Sequence, residues 1–109
     1  MKPLEWLGDS RECIRRFPDD ARRASGHQLE RVQAGEDPSD FKPMPSVGLG
    51  VQEIRVRIGG AFRIIYVAKF SEAIYVLHAF QKKSRQTDKS DIELARQRFK
   101  ALLQERKRK

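Results

Sequence analysis

The sequence predicts one α+β domain: a four-stranded antiparallel sheet, two N-terminal helices packed on one face of that sheet, and a C-terminal helix. Apolar residues repeat at helical spacing before residue 36 and alternate from Val47 onwards. Two successive β-hairpin patterns lie between residues 54 and 81. A chain of 109 residues can bury about two-thirds of its unfolded surface, so it needs neither a disulfide nor a metal ion to fold.

A short strand and a first helix are predicted at the N-terminus. Residues 4–7 form the strand. Asp9 and Ser10 can cap a helix that runs through Phe17. Pro18 closes this helix, because proline cannot continue one.

The second helix follows Pro18, whose fixed φ suits a first helical turn. It carries an apolar stripe made of Ala21, Ala24, Leu29 and Val32. Gly35 ends the helix, and residues 36–44 predict a loop, because they are rich in Asp, Pro and Ser.

Three strands of the predicted sheet follow as a meander. Residues 54–58 alternate strictly between apolar and charged side chains, which predicts a half-buried strand. A turn at residues 59–61 leads to a strand over residues 62–70. A turn at Ser71–Glu72 leads to the last strand, over residues 73–81.

The C-terminal helix has a recognisable start. Ser90-Asp91-Ile92-Glu93 is a capping box, although Thr87 could cap the same helix one turn earlier. One side of this helix is apolar and carries Ile92, Ala95, Phe99 and Leu102.

The register of the first hairpin decides which side chains share a face. A two-residue turn would pair Arg57 with Phe62 and mix charged and apolar side chains on both faces. A three-residue turn pairs Arg57 with Arg63 and Arg55 with Ile65, and we favour it because the buried face sets the register. One face is then apolar and carries Ile54, Val56, Ile58, Phe62, Ile64, Tyr66 and Ala68.

The opposite face of the predicted sheet is cationic. With a two-residue turn at Ser71–Glu72, Arg63 lies opposite Phe80 and Ile65 lies opposite His78. Converging arginines repel one another unless an anion lies between them, so we do not expect this face to be merely core. Its residues are Arg55, Arg57, Arg63, Lys69, His78 and Phe80, next to Lys82 and Lys83.

The charge of the chain favours a polyanionic partner. The formal net charge is +8, and residues 82–109 alone contribute +7. No apolar stretch approaches the roughly 20 residues of a membrane span, and the N-terminus has no signal-peptide pattern. Cys13 is the only cysteine and cannot form an internal disulfide, so we expect a cytoplasmic protein with no membrane partner.

RNA is a polyanion that such a face could bind and cleave without a metal ion or cofactor. The 2′-hydroxyl attacks the adjacent phosphate once a base removes its proton, and cations stabilise the charge that develops on phosphorus. The candidates for this electrostatic role are Arg55, Arg57 and Arg63. The candidates for proton transfer are Lys82, Lys83 and His78, and Phe80 could stack on a base. The alternative is a solvated face whose arginines pair with Glu53 and the terminal helix.

Other candidate sites are weaker. His27 is expected to lie on the surface, and Cys13, with no evident base beside it, to be a small buried apolar residue. No second His or Cys stands at metal-ligand spacing, so we expect no metal site.

Three segments carry a family resemblance: Glu53-Ile54-Arg55-Val56-Arg57, Phe62-Arg63-Ile64-Ile65-Tyr66 and Leu77-His78-Ala79-Phe80-Gln81-Lys82-Lys83. With the preceding strand and helical pair, they resemble the RelE/ParE toxin superfamily, most closely its phage-derived, HigB-like branch. The resemblance covers nearly the whole chain and implies a RelE-like fold. It also implies a toxin of a type II toxin–antitoxin module, which cleaves mRNA in the ribosomal A site as a metal-independent endoribonuclease.

The resemblance implies partners and site residues as well. The partners are mRNA on the ribosome and a co-encoded antitoxin, often a helix-turn-helix protein in this branch. Arg63 matches the strand arginine that contacts the scissile phosphate, and Arg55 matches a basic position on the preceding strand. Lys82 or Lys83 matches the basic position after the last strand. The predicted catalytic residues are Arg63, Arg55, Lys82 and Lys83, and the predicted RNA-binding residues are Arg57, Lys69, His78 and Phe80. Glu53 stands where some relatives have lysine, and no tyrosine follows Lys83, so the identity of the general base stays open.

Two other functions remain open on the sequence. A ParE-like branch of the same superfamily inhibits DNA gyrase by binding, without cleaving nucleic acid. A degenerate member would bind RNA without activity. The arginine cluster favours the nuclease over both.

Overall fold

Five strands and three helices make up the computed structural model, which describes residues 1–84 and 89–108. In chain order they are β1 (Leu4–Trp6), α1 (Ser10–Arg15), α2 (Asp19–Gln33), β2 (Phe41–Pro43), β3 (Val51–Arg57), β4 (Ala61–Val67), β5 (Ile74–Lys82) and α3 (Lys89–Lys107). The predicted α+β class is confirmed. None of the helices in the described ranges combines the length and the apolar character that crossing a bilayer requires.

The sheet is mixed and has five strands in the order β1-β5-β4-β3-β2, so the prediction of four antiparallel strands was wrong. β1 runs parallel to β5, with Leu4 opposite Ile74. The pattern of a three-residue strand cannot reveal its direction. β2 lies in the segment predicted to be a loop and pairs antiparallel with β3, with Phe41 opposite Ile54. Pro43 is compatible with such a strand because β2 is an edge strand.

The first hairpin keeps its predicted faces but has a different register. Arg57 lies opposite Ala61, whereas a pairing of Arg57 with Arg63 was predicted. The turn has three residues but begins at Ile58 instead of Gly59, so Ile58 leaves the apolar face and is exposed. Side chains alternate with a period of two, so this shift of two residues leaves the strand residues on their predicted faces.

The second hairpin contains a β-bulge. The two predicted pairings are confirmed: Arg63 with Phe80, and Ile65 with His78. Beyond them the register shifts, because Tyr66 pairs with Val76 and leaves Leu77 without a partner on β4. A bulge of this kind bends the strand locally and redirects the neighbouring side chains.

The two N-terminal helices pack on the apolar face, as predicted. The sheet contributes Ile54, Val56, Phe62, Ile64 and Tyr66, and the helices contribute Ile14, Phe17, Ala21, Leu29 and Val32. The rings of Phe17 and Phe62 have centroids 4.7 Å apart. Full burial of a large apolar side chain contributes about 1.5–3 kcal/mol, so this layer stabilises the whole sheet.

The third helix covers part of the opposite face, which was predicted to be open and cationic. Ala95, Phe99 and Leu102 of α3 form a second core with sheet and loop residues. The sheet residues of this core are Val51, Ile65, Val67 and Leu77. The cationic part of the face is therefore confined to the end that this second core leaves free.

Helix ends differ from the prediction by a few residues. α1 ends at Arg15, two residues before Phe17, and Asp9 is its N-cap without a capping hydrogen bond from the side chain. α3 begins at Lys89, so Ser90 lies inside the helix and the predicted cap at Ser90 was wrong. The alternative cap, Thr87, lies outside the described residues.

Replacing Gly48 by alanine is expected to lower the free energy of unfolding by about 1–3 kcal/mol. A Cβ at this position would lie 2.3 Å from Cε2 of Phe99, whose ring is held in the second core. Gly26 in α2 is the matched control, because its Cβ position has nothing within 4 Å. Alanine there should raise the same free energy by about 0.5–1 kcal/mol. Urea unfolding measures both changes, and an unaltered Gly48→Ala protein would contradict this packing.

Candidate functional site

Side chains cross β3, β4 and β5 in rows on the face that α3 partly covers. The row nearest the turn at residues 58–60, which we call the glycine turn, holds Arg57, Ala61 and Lys82. The next row holds Arg55, Arg63 and Phe80. The third row holds Glu53, Ile65 and His78, and the second core begins there. The basic residues of the first two rows therefore lie beside this core and not beneath it.

An open cleft with a volume of about 580 Å³ lies at the turn end of these rows. We call it the cationic cleft, and its lining residues are Arg57, Gly60, Ala61, Arg63, Lys82, Lys83 and Ser84. The structure thus brings together three of the four residues predicted to be catalytic: Arg63, Lys82 and Lys83. Arg57, predicted to bind RNA, lines the same cleft. Four positive side chains around one cleft make it suited to an anionic ligand.

A buried carboxylate lies next to these cations. Glu53 is only 1% exposed, and its Oε1 lies 3.6 Å from Nε of Arg63 and 3.8 Å from Nε of Arg55. Glu53 is thus a counter-ion for two arginines on neighbouring strands. On the sequence, Glu53 stands out as an ion-pair partner in the alternative of a solvated face and as a departure from the lysine of some relatives. The alternation that places Glu53 on the same face as Arg55 was the signal that could have identified this counter-ion. Its burial depends on contacts that cover the sheet, which alternation does not predict.

Arg63 is held at the base of the cleft. It is 5% exposed, and its Nη1 donates a hydrogen bond to the carbonyl oxygen of Phe62 at 3.1 Å. Burial lowers the pKa of the Arg63 guanidinium, Glu53 opposes this change, and Arg55 and Arg57 lower the pKa further. Arginine nevertheless stays protonated in proteins. Arg63 is therefore a partly desolvated cation, which interacts more strongly with an anion than a solvated one does.

Arg55 lies beside the cleft and is not among its lining residues. Its Nη1 is 3.9 Å from Oδ1 of Asp40, and its backbone N–H donates to the Asp40 carbonyl oxygen. About a quarter of the side chain is exposed (26%), so an extended ligand in the cleft could reach it. The structure thus places Arg55 at the β2 side of the site.

His78, predicted to bind RNA, does not line the cleft. Its side chain is 7% exposed, and its Nε2 lies 2.7 Å from Oδ1 of Asp91 on α3. The ring also stacks on Phe80, with centroids 5.4 Å apart and planes 22° apart. Phe80 lies opposite Arg63 and is partly exposed, so of these two rings it is the one placed for a base to stack on.

Lys69, also predicted to bind RNA, is separated from the cleft. The four residues of strand from Arg63 to the end of β4 at Val67 span about 13 Å, and Lys69 lies beyond that end. Its Nζ donates to the carbonyl oxygen of Leu49 at 2.9 Å and lies 5.3 Å from the centroid of Phe70. Alternation alone groups Lys69 with the cluster because it predicts the same face, but the position of Lys69 along the chain separates it from Arg63.

The chain matches a known protein family. Residues 12–100 match the family described as Phage derived protein Gp49-like (DUF891). The matched range includes every residue that lines the cationic cleft. No curated protein matches the chain at a significant level of sequence similarity.

Lys82→Ala and Lys83→Ala are each expected to weaken the binding of single-stranded RNA. Each lost phosphate contact should reduce the slope of log K against log salt concentration by about 0.7. Lys69→Ala is the matched control, because it removes the same charge beyond the far end of β4, and it should leave the slope unchanged. Fluorescence anisotropy over a salt series measures the slopes. An equal loss for Lys69→Ala would mean that RNA does not bind at the cationic cleft.

Proposed function

The chain belongs to the Gp49-like family of phage-derived proteins, and we propose that it is the toxin of a type II toxin–antitoxin module. The Gp49-like family is associated with such toxins and typically comprises RelE-like proteins. In this proposal the protein is a HigB-like mRNA endoribonuclease that acts on the ribosome in the cytoplasm and thereby inhibits translation. The observation that carries the proposal is the convergence of Arg57, Arg63, Lys82 and Lys83 on one open cleft.

The exposed cations that line the cleft can bind the phosphates of an RNA backbone. Lys83 and Arg57 are exposed and can attract phosphates from solution, and Lys82 is partly buried beside them. Arginine binds phosphate oxygens through two parallel hydrogen bonds, whereas lysine acts as a point charge. This arrangement favours recognition of the backbone over recognition of base sequence.

Arg63 is the group placed to stabilise the transition state. When the 2′-hydroxyl attacks phosphorus, negative charge develops on the phosphoryl oxygens, and a fixed, partly desolvated cation stabilises it best. Glu53 fixes the Arg63 guanidinium from behind. The Glu53 carboxylate is itself 1% exposed, so we assign it a positioning role and not direct contact with RNA. Lys82 and Lys83 are the cleft residues that we assign to proton transfer, and Phe80 stacks on a base.

Gyrase inhibition by binding is the second candidate. The observation that favours it is the ion pair itself, because Glu53 already neutralises part of the charge on Arg63. Two assays separate the candidates: mapping of transcript 5′ ends in a translation extract with and without ribosomes, and DNA supercoiling by gyrase in the presence of the protein. The nuclease proposal requires new 5′ ends that depend on ribosomes and unaltered supercoiling. Inhibited supercoiling without new ends would support the ParE-like function.

Arg63→Lys is expected to lower the rate of mRNA cleavage about a hundred- to a thousandfold, because it removes the planar guanidinium from the transition state. The lysine ammonium can still compensate for the buried charge of Glu53, so the fold should be retained. Arg63→Ala is a poorer test, because breaking a buried ion pair costs about 3–5 kcal/mol of stability. Transcript mapping and thermal unfolding of the same preparations measure the two effects.

Arg22→Lys is the matched control for this substitution, because Arg22 makes an exposed ion pair with Asp19 on α2. It should leave both cleavage and thermal unfolding unchanged. If Arg63→Lys cleaved at the parent rate, Arg63 would be a structural ion-pair partner only.

A co-encoded antitoxin, of the helix-turn-helix type, is the proposed protein partner. We expect it to cover the cationic cleft or to block entry of the toxin into the ribosome. Its affinity should fall as salt rises, because exposed charges are screened beyond about 8–10 Å at physiological ionic strength. Calorimetric titration at low and high salt measures this dependence, and an unchanged affinity would indicate a mainly apolar interface instead.

A further inference from the structure

A second polar cluster lies where the start of α1 meets β5, and it shares no residue with the cationic cleft. Asp9, Cys13 and His78 each place one potential ligand atom so that all three atoms lie within 4.8 Å of one another. The backbone N–H of Cys13 donates to the carbonyl oxygen of Asp9 at 3.0 Å, as expected for residues one helical turn apart. His78 lies on β5 next to the bulge at Leu77, far from Asp9 and Cys13 in the sequence. Because the three residues meet only through this tertiary contact, their spacing in the sequence predicted no metal site.

The imidazole of His78 is fixed in place and has one nitrogen without a partner. Its Nε2 bonds to Oδ1 of Asp91 at 2.7 Å. A carboxylate can only accept, so in the neutral ring Nε2 carries the proton and Nδ1 is an acceptor. Nδ1 is buried and has no hydrogen-bond partner among the described residues. A buried acceptor without a donor costs free energy, and a bound cation would remove that cost.

We propose that Asp9, Cys13 and His78 bind a zinc ion. Zinc takes carboxylate, thiolate and imidazole ligands, and sites with three protein ligands complete their four-coordinate geometry with water. Nδ1 of His78 is the nitrogen available for the ion, because Nε2 is already bonded. Cys13 is partly exposed and Asp9 is exposed, so an ion can enter from solvent.

Two further residues, Asp91 and Arg98, make hydrogen bonds to the proposed ligands and orient them. The contact between Asp91 and His78 is the carboxylate–histidine arrangement that orients metal-bound imidazoles. Arg98 donates from Nη2 to Oδ1 of Asp9 at 2.7 Å and from Nη1 to the Leu77 carbonyl oxygen at 2.9 Å. Arg98 thereby holds one oxygen of the Asp9 carboxylate, and the other oxygen remains for the metal.

The charges of this cluster balance when zinc binds. The Cys13 thiol releases its proton to solvent as the sulfur–zinc bond forms. Two aspartates and one thiolate, against the single positive charge of Arg98, leave a net charge of −2 for the dication to neutralise. The ion would join α1 to β5 directly and would reach α3 through Asp91, so it would stabilise the packing of these three elements.

Calorimetric titration of the metal-free protein with zinc tests the proposal. One zinc ion per chain is expected, together with a rise in the thermal unfolding midpoint of roughly 10 °C when zinc exceeds its dissociation constant a hundredfold. Cobalt(II) bound in place of zinc should give a thiolate-to-cobalt charge-transfer absorption, which reports ligation by sulfur. An absence of binding by the parent protein would overturn the proposal.

Three variants make the test specific. Cys13→Ser should abolish the cobalt–thiolate absorption and the zinc-dependent rise in midpoint, and Asp9→Asn, at an exposed position, should weaken zinc binding. His27→Gln is the matched control, because the chain has only two histidines, and it should still bind one zinc ion. Unchanged zinc binding by Cys13→Ser or Asp9→Asn, or lost binding by His27→Gln, would overturn the assignment of these ligands.

Discussion

The site depends on the interaction of one buried carboxylate, that of Glu53, with Arg55 and Arg63. Arg55 and Arg63 lie directly opposite each other on β3 and β4, where like charges destabilise a sheet. Oε1 of Glu53 lies within 4 Å of a guanidinium nitrogen of each. A single carboxylate thus compensates for two arginines in part, and the excess of positive charge remains on the side that faces the cationic cleft. The fold thereby tolerates a cluster of cations without neutralising it.

The position of α3 determines how much of this sheet face a ligand can reach. Phe99 and Leu102 pack over one end of the face and make it core, while the end next to the glycine turn stays open. The β-bulge at Leu77 lets His78 contact Asp91 on α3, and the ring of His78 in turn supports Phe80. One face of one sheet therefore serves as both a hydrophobic core and a charged surface.

Much of this arrangement could be predicted from the sequence, because side-chain alternation is a local property. It gave the apolar face under α1 and α2, the pairing of Arg63 with Phe80, and the three predicted catalytic residues that share one cleft. The direction of β1, the edge strand β2 and the cover provided by α3 depend on contacts between distant segments. The burial of Glu53 and His78, and the separation of Lys69 from the cleft, follow from those contacts.

We propose that RNA phosphate binds at the cationic cleft. The most direct measurement is a titration of ¹⁵N-labelled protein with a short single-stranded RNA, followed by NMR. We expect the largest shifts at the backbone amides of Gly60, Ala61 and Ser84 and at the Nε–H of Arg63. A second groove lies between β5 and α3, and Tyr75 and Leu102 are among its lining residues. Shifts concentrated in that groove, with Gly60 and Ala61 unchanged, would contradict this proposal.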